Sequence, residues 1–178
     1  CPYIPTQVGL GTDVLNVNPE LKVVDSPYDE KEWLAMPALT LDATLIHVDR
    51  ADSRGVCQIK GADHYMDDWF ARAAKKTYVS CDELVESDYF TPEEEARFVF
   101  WERSQTTAVI PIEGGAHPSS CSPHYGFDVS HFKEYAASAK EGGFASYADK
   151  YIHGKTEIDY QNLVGGLESI KQLPLAVY

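Results

Sequence analysis

One loop, GGAHPSSCSPHYGFDVSH, gathers His117, Cys121, His124 and His131. Imidazole and thiolate are the ligands of tetrahedral zinc, and a thiolate beside an imidazole is a nucleophile pair. The spacing His117-x3-Cys121-x2-His124 matches no common closed zinc site, and Pro118 and Pro123 restrict how those side chains converge. The plainer reading is a scaffold loop. Gly114 and Gly115 would supply backbone angles that other residues resist, and the prolines would stiffen the turn. His117 is then expected to hydrogen-bond to nearby backbone, and Cys121 to fill space as a small apolar residue. No metal is expected.

A second set lies in DATLIHVDRADSRG. His47 falls inside an apolar run, where a histidine is more often a satisfied core residue than a catalyst. Asp49 and Asp52 follow at the carboxyl end of that run, and in open α/β sheets ligands collect beyond such ends. Arg50 and Arg54 stand ready to pair with them. Asp67 and Asp68 fall in a helical pattern, where a solvated polar face is expected. The turn Gly9-Leu10-Gly11 could let backbone approach a ligand, but it lacks the dinucleotide-binding spacing and reads rather as a plain turn. No Walker loop, GxSxG elbow, HExxH or repeated CxxC occurs.

The elements that must position these residues are clearest from Asp42 to Cys81. Ala43, Leu45, Ile46 and Val48 read as a buried strand. Met66, Trp69, Phe70, Ala73 and Ala74 then follow helical spacing and predict a helix over 63–75, capped by Asp63, with that apolar face packed on a sheet. Thr77–Cys81 reads as the next strand. Strand, crossover helix and strand make a right-handed βαβ unit with parallel strands at 43–49 and 77–81. Before it, residues 1–28 suggest two extended segments joined by a glycine turn, and 29–41 begins helix-like until Pro37. After it, Thr91–Glu94 reads as a capping box opening a short helix. Phe98–Trp101 and Thr107–Ile112 read as strands. Helices are expected from Ser130 to the stop at Gly142-Gly143, around Phe144–Ile152, and near Tyr160–Leu173.

A chain of 178 residues suits one domain with a real core. With 15 basic and 28 acidic residues the formal charge is −13. No basic run offsets this, so nucleic acid and anionic membrane surfaces are poor partners. Four widely spaced cysteines without a CxxC pair fit reduced thiols and a cytoplasmic setting.

Three stretches in order, PALTLDATLIHVDRADSRG, GADHYMDDWFARAAKKTYVSCDELVES and IEGGAHPSSCSPHYGFD, resemble the α (A) subunit of class I CoA-transferases. The branch is that of glutaconate CoA-transferase, which includes ring-opening hydrolases of steroid breakdown. The likeness runs from Pro2 to about Gly165. It implies an α/β fold, three-layer α/β/α with a mostly parallel sheet, present here as a single domain over 1–178 that matches the carboxyl-terminal portion of the subunit. It also implies coenzyme A as a substrate, with no covalently bound cofactor. The walls of the site would be Gln7, Gly9 and Gly11 in the first turn, Asp49 and Asp52 at the strand end, and Gly114, Gly115 and His117 in the loop. No catalytic residue is implied, since the family's S-E-N-G-like glutamate motif and glycine-rich half have no match. Two departures matter: Val56 stands where the family often has asparagine, and Gln7 where it often has a basic residue. The chain is therefore expected to begin partway through a longer ancestral protein and to be inactive alone. Its partner would be a β subunit, the missing amino-terminal half, or a second copy of itself. The competing expectation is a non-catalytic, self-associating binding or assembly module.

Overall fold

The structure is a computed structural model that describes residues 1–62, 64–140 and 142–176. Where one domain is expected, the chain divides into two compact units, Cys1–Thr40 and Leu41–Tyr178, each with its own sheet.

The first unit contains β1 (Tyr3–Thr6), α1 (Val14–Val17), β2 (Lys22–Asp25) and β3 (Glu32–Pro37). The two expected extended segments, β1 and β2, do not pair with each other. Both run antiparallel to β3, which lies between them. That corrects the helix-like reading of residues 29 onward. Leu34 is buried and stands opposite Thr6 on one side and Val23 on the other. Glu30 takes a left-handed backbone conformation, and the Ser26 N–H donates to the Lys31 carbonyl. The hairpin between β2 and β3 therefore outweighs the helical preference of Asp29–Trp33.

The second unit carries β4 (Thr44–Asp52), β5 (Cys57–Gln58), α2 (Asp67–Ala73), β6 (Thr77–Val85), α3 (Glu93–Ala96) and β7 (Ala108–Pro111). Four helices follow: α4 (Val129–Lys140), α5 (Phe144–Tyr151), α6 (Glu157–Leu163) and α7 (Leu167–Lys171). The sheet order is β5-β4-β6-β7. The strands β4, β6 and β7 are parallel, and β5 is an antiparallel edge. The βαβ unit is as expected, with β4 and β6 paired directly from Thr44↔Thr77 to Asp52↔Val85. Ile46, Val48, Val79, Cys81 and Ala71 form the core with Trp101.

The face of α2 is not the expected one. Trp69 is 65% exposed and Phe70 42%, whereas Asp68 and Ala71 are buried. Arg72 explains the rotation: it pairs with Asp68 at 2.6 Å and donates to the Phe100 carbonyl at 2.6 Å. His64, four residues before Asp68, stacks on Phe100 with ring centroids 4.0 Å apart. An ion pair and a stacked ring thus set the inward face, and the small Ala71 fits beneath them. Asp63, expected as the cap, lies outside the described residues. Phe98–Trp101 is not a strand; it wraps as loop, with Trp101 buried and donating to Thr106. The helix after Thr91 exists, but Pro92 is its cap residue, without a side-chain bond. The closing helix is two, divided at Gly165 and Gly166, both in left-handed conformation. Among the described residues no helix is long and apolar enough to cross a membrane.

Candidate functional site

The carboxyl half of β4 borders a cleft of about 780 Å³ whose wall includes His47, Asp49, Tyr65, Asp67 and, from the loop, Ala116 and Ser119–Ser122. The loop is held there by Asp82 on β6. One Asp82 oxygen accepts the Gly114 N–H at 2.7 Å. The other accepts the Tyr125 hydroxyl at 3.0 Å and lies 2.7 Å from His47 Nε2. Ser80 Oγ is 2.8 Å from His47 Nδ1. The tautomer that satisfies both contacts carries its proton on Nε2, gives it to Asp82, and accepts from Ser80. Tyr125 in turn accepts the Ala116 N–H at 2.9 Å. Burial alone would raise the Asp82 pKa, but the bonds from His47 and Gly114 outweigh it and hold the carboxyl below its ordinary value.

Cys121 joins this set rather than His117 or His124. Its thiol and ligand atoms of His47 and Asp82 lie within 4.8 Å of one another. Both Asp82 oxygens are already engaged in hydrogen bonds, and burial beside that carboxylate pushes the Cys121 thiol up, away from thiolate. The trio reads as a hydrogen-bonded brace. The same chemistry argues against a cysteine nucleophile, which needs an accessible thiolate.

Asp49 is the unusual member of the cleft. It is 2% exposed. One carboxyl oxygen accepts the Lys60 backbone N–H, and the other, Oδ1, has no hydrogen-bond partner among the described residues. Burial pushes its pKa up to about 7, against the pull of the Lys60 N–H and of the Arg50 and Lys60 charges. The neighbouring cations are turned elsewhere: Arg50 bonds to Glu83, and Lys60 to Glu95. His124 approaches the Asp49 backbone carbonyl at 3.2 Å, not its carboxyl.

The other expected wall residues are placed differently. Asp52, fully buried, closes the turn after β4: it accepts the Arg54 and Val56 N–H groups and the Ser87 hydroxyl. Burial would raise its pKa, but these bonds hold it below the ordinary value. Gly114 is left-handed at φ 79°. A Cβ at Gly115 would stand 2.9 Å from both His47 Cε1 and the Ile112 carbonyl, so only glycine lets the loop lie on that histidine. The ring of His117 does not bond to nearby backbone as expected. It meets Tyr160 Oη at 2.6 Å and Asp128 at 3.2 Å, in an aromatic cluster of α4, α5 and α6 with His131. Those long-range partners replace the local ones because His117 is buried away from the cleft, beside a smaller hollow. Both His117–Pro118 and Ser122–Pro123 are cis. In the first unit, Gln7, Gly9 and Gly11 form a turn closed by the Gln7 carbonyl to Leu10 N–H and the Gly9 carbonyl to Thr12. Sequence reasoning misses Asp82 and Tyr125; the one signal for Asp82 is an acidic residue at the end of a buried strand.

No family model matches the chain. It is 33% identical over 170 residues to the cholesterol ring-cleaving hydrolase IpdA subunit of Mycobacterium tuberculosis, a match covering 92% of this chain and 58% of that protein. It is 29% identical over 154 residues to the A subunit of 3-oxoadipate CoA-transferase from Pseudomonas knackmussii, covering 86% and 53%. The crystal structure of glutaconate coenzyme A-transferase from Acidaminococcus fermentans matches with a TM-score of 0.85 at 24% identity, over 98% of this chain and 60% of the other. The chain thus spans about three-fifths or less of the length of these relatives.

Proposed function

From a chain that is homologous to the A subunits of CoA-transferases, shares their α/β fold and spans part of their length, we propose that the cleft beside β4 is one wall of a site for an acyl-coenzyme A. The observation that carries this is the lining. Serine hydroxyls, backbone, the buried Asp49 carboxyl and the Asp67 carboxyl border the cleft, and no lysine or arginine is among the described residues that line it. Such a wall suits the uncharged acyl thioester, not the phosphates of the carrier. In transferase chemistry a carboxylate attacks the thioester and CoA passes through an enzyme-bound thioester. This chain has no S-E-N-G-like motif to supply that carboxylate, so a β-type subunit would bring it, and the chain alone would be inactive. Gly114 and Gly115 would shape the wall and Asp52 would fix the strand end. His117 would anchor the loop from behind, and the Gln7–Gly11 turn is assigned to coenzyme A by the family likeness alone. A cytoplasmic setting accords with free acyl-CoA as substrate. The test is transfer from acetyl-CoA to a panel of carboxylates, with the chain alone and with a co-expressed β-type subunit. Activity only in the pair supports the reading; a rate above background from the chain alone overturns it.

A second reading, a self-associating module without catalysis, is favoured by the exposed face of α2, where Met66, Trp69 and Phe70 are 61%, 65% and 42% exposed.

A further inference from the structure

We propose that Asp49 is a proton-donating residue of the cleft, presenting Oδ1–H to a carbonyl or carboxylate oxygen of the bound acyl ligand; this rests on the acyl-CoA reading of the site. Three features of geometry carry it. Asp49 is almost wholly buried in the cleft wall, at the carboxyl half of a parallel strand. Its two oxygens are unequal, since one takes the Lys60 N–H and Oδ1, itself sealed from solvent, takes nothing among the described residues, so a ligand oxygen reaches it where the cleft wall yields. An unpartnered buried carboxylate oxygen is costly, whereas a protonated one is a donor awaiting an acceptor.

Among the described residues, no neighbouring group is free to take over. Arg50, next on β4, points to Glu83, and the Lys60 ammonium points to Glu95. His124 contacts only the Asp49 backbone. Cys121, on the loop side of the cleft, is held as a neutral thiol beside Asp82. The titratable lining groups His47, Tyr65 and Asp67 complete the surroundings. His47 is committed to Asp82 and Ser80. With no lysine or arginine among the described residues of the cleft wall, the Asp49 proton is what can neutralise charge arriving on a ligand oxygen. That charge would develop when a nucleophile adds to the thioester carbonyl. Proton transfer is balanced: Oδ1–H breaks, the ligand O–H forms, and the Asp49 carboxylate remains bonded to the Lys60 N–H. A carboxyl whose proton burial retains up to about pH 7 suits this task.

The experiment is a calorimetric titration of the full chain with acetyl-CoA from about pH 6 to about pH 8.5, for wild type and Asp49→Asn, with infrared spectra of both proteins. Asparagine keeps the shape and offers an N–H at the Oδ1 position at every pH. The expected result is wild-type affinity that falls toward tenfold per pH unit above about pH 7, while D49N binds with a flat profile. A protonated-carboxyl stretching band should be present in the wild type and missing in D49N. Equal profiles for the two proteins would overturn the donor role while leaving the acyl site standing. No binding by the wild type, with the carboxyl band still present, would overturn the acyl-CoA reading and the proposal with it.

Discussion

Asp82 and Asp49 are both buried carboxyls and behave oppositely, because one is surrounded by donors and the other is not. Asp82→Ala would strand the Gly114 N–H, the Tyr125 hydroxyl and His47 Nε2 in a buried place. We expect a loss of about 3–5 kcal/mol in denaturant titration, with Asp82→Asn milder because it keeps one acceptor. Asp49 gives a pH signature of the other sign. Its folded pKa of about 7 is above the ordinary value of 3.8, so the folded chain holds more protons than the unfolded one between those values. Stability contributed by this group is present below about pH 4 and declines as pH rises to 7, by about 4 kcal/mol at most. His131, whose pKa burial lowers, acts in the opposite direction below pH 6.5. The difference between wild type and D49N isolates the Asp49 part: the variant should gain stability relative to wild type as pH rises from about 4 to about 7. A constant difference across that range would contradict the raised pKa. Cys121→Ser should cost on the order of 1 kcal/mol, and chelator should leave the melting temperature unchanged.

The elements are legible in the sequence where local pattern and tertiary demand agree. Thr44–Asp52 and Thr77–Val85 pair as expected, since an apolar β-rich run next to a helix leaves few other solutions. They are illegible where one long-range contact decides the outcome. The Arg72–Phe100 bond ties α2 to the Phe98–Trp101 loop; nothing within either segment signals it. Exposed as they are, Trp69 and Phe70 should be replaceable by serine with a stability change within about 0.5 kcal/mol. If α2 is an association surface, that double variant should shift the chain toward monomer in size-exclusion chromatography with light scattering; an unchanged mass would remove α2 from consideration. Gly115→Ala is the contrary case. A methyl group 2.9 Å from His47 and from a carbonyl must push the loop off β4, at about 1–3 kcal/mol.

Across the whole molecule, the candidate site is half legible. Asp49 stands out because strand ends collect ligands, and Gly114 and Gly115 because glycines mark close approach. Asp52 and His117 draw the eye for their chemistry, yet their partners, Ser87 for one and Tyr160 for the other, lie 35 and 43 residues away and make them braces. Asp82 escapes notice for the same reason, its donors coming from 32 to 43 residues off. The four thiols have a consequence of their own. Cys1 is exposed, whereas Cys57, Cys81 and Cys121 are buried, and burial pushes Cys57 up to about 12 and Cys81 to about 11. An alkylating reagent should therefore tag Cys1 at once and reach the others only when the sheet or the loop opens. Mass spectrometry of timed labelling would then act as a clock for each region. Cys121 reports on the cleft loop and Cys57 on the edge strand, without a single engineered residue.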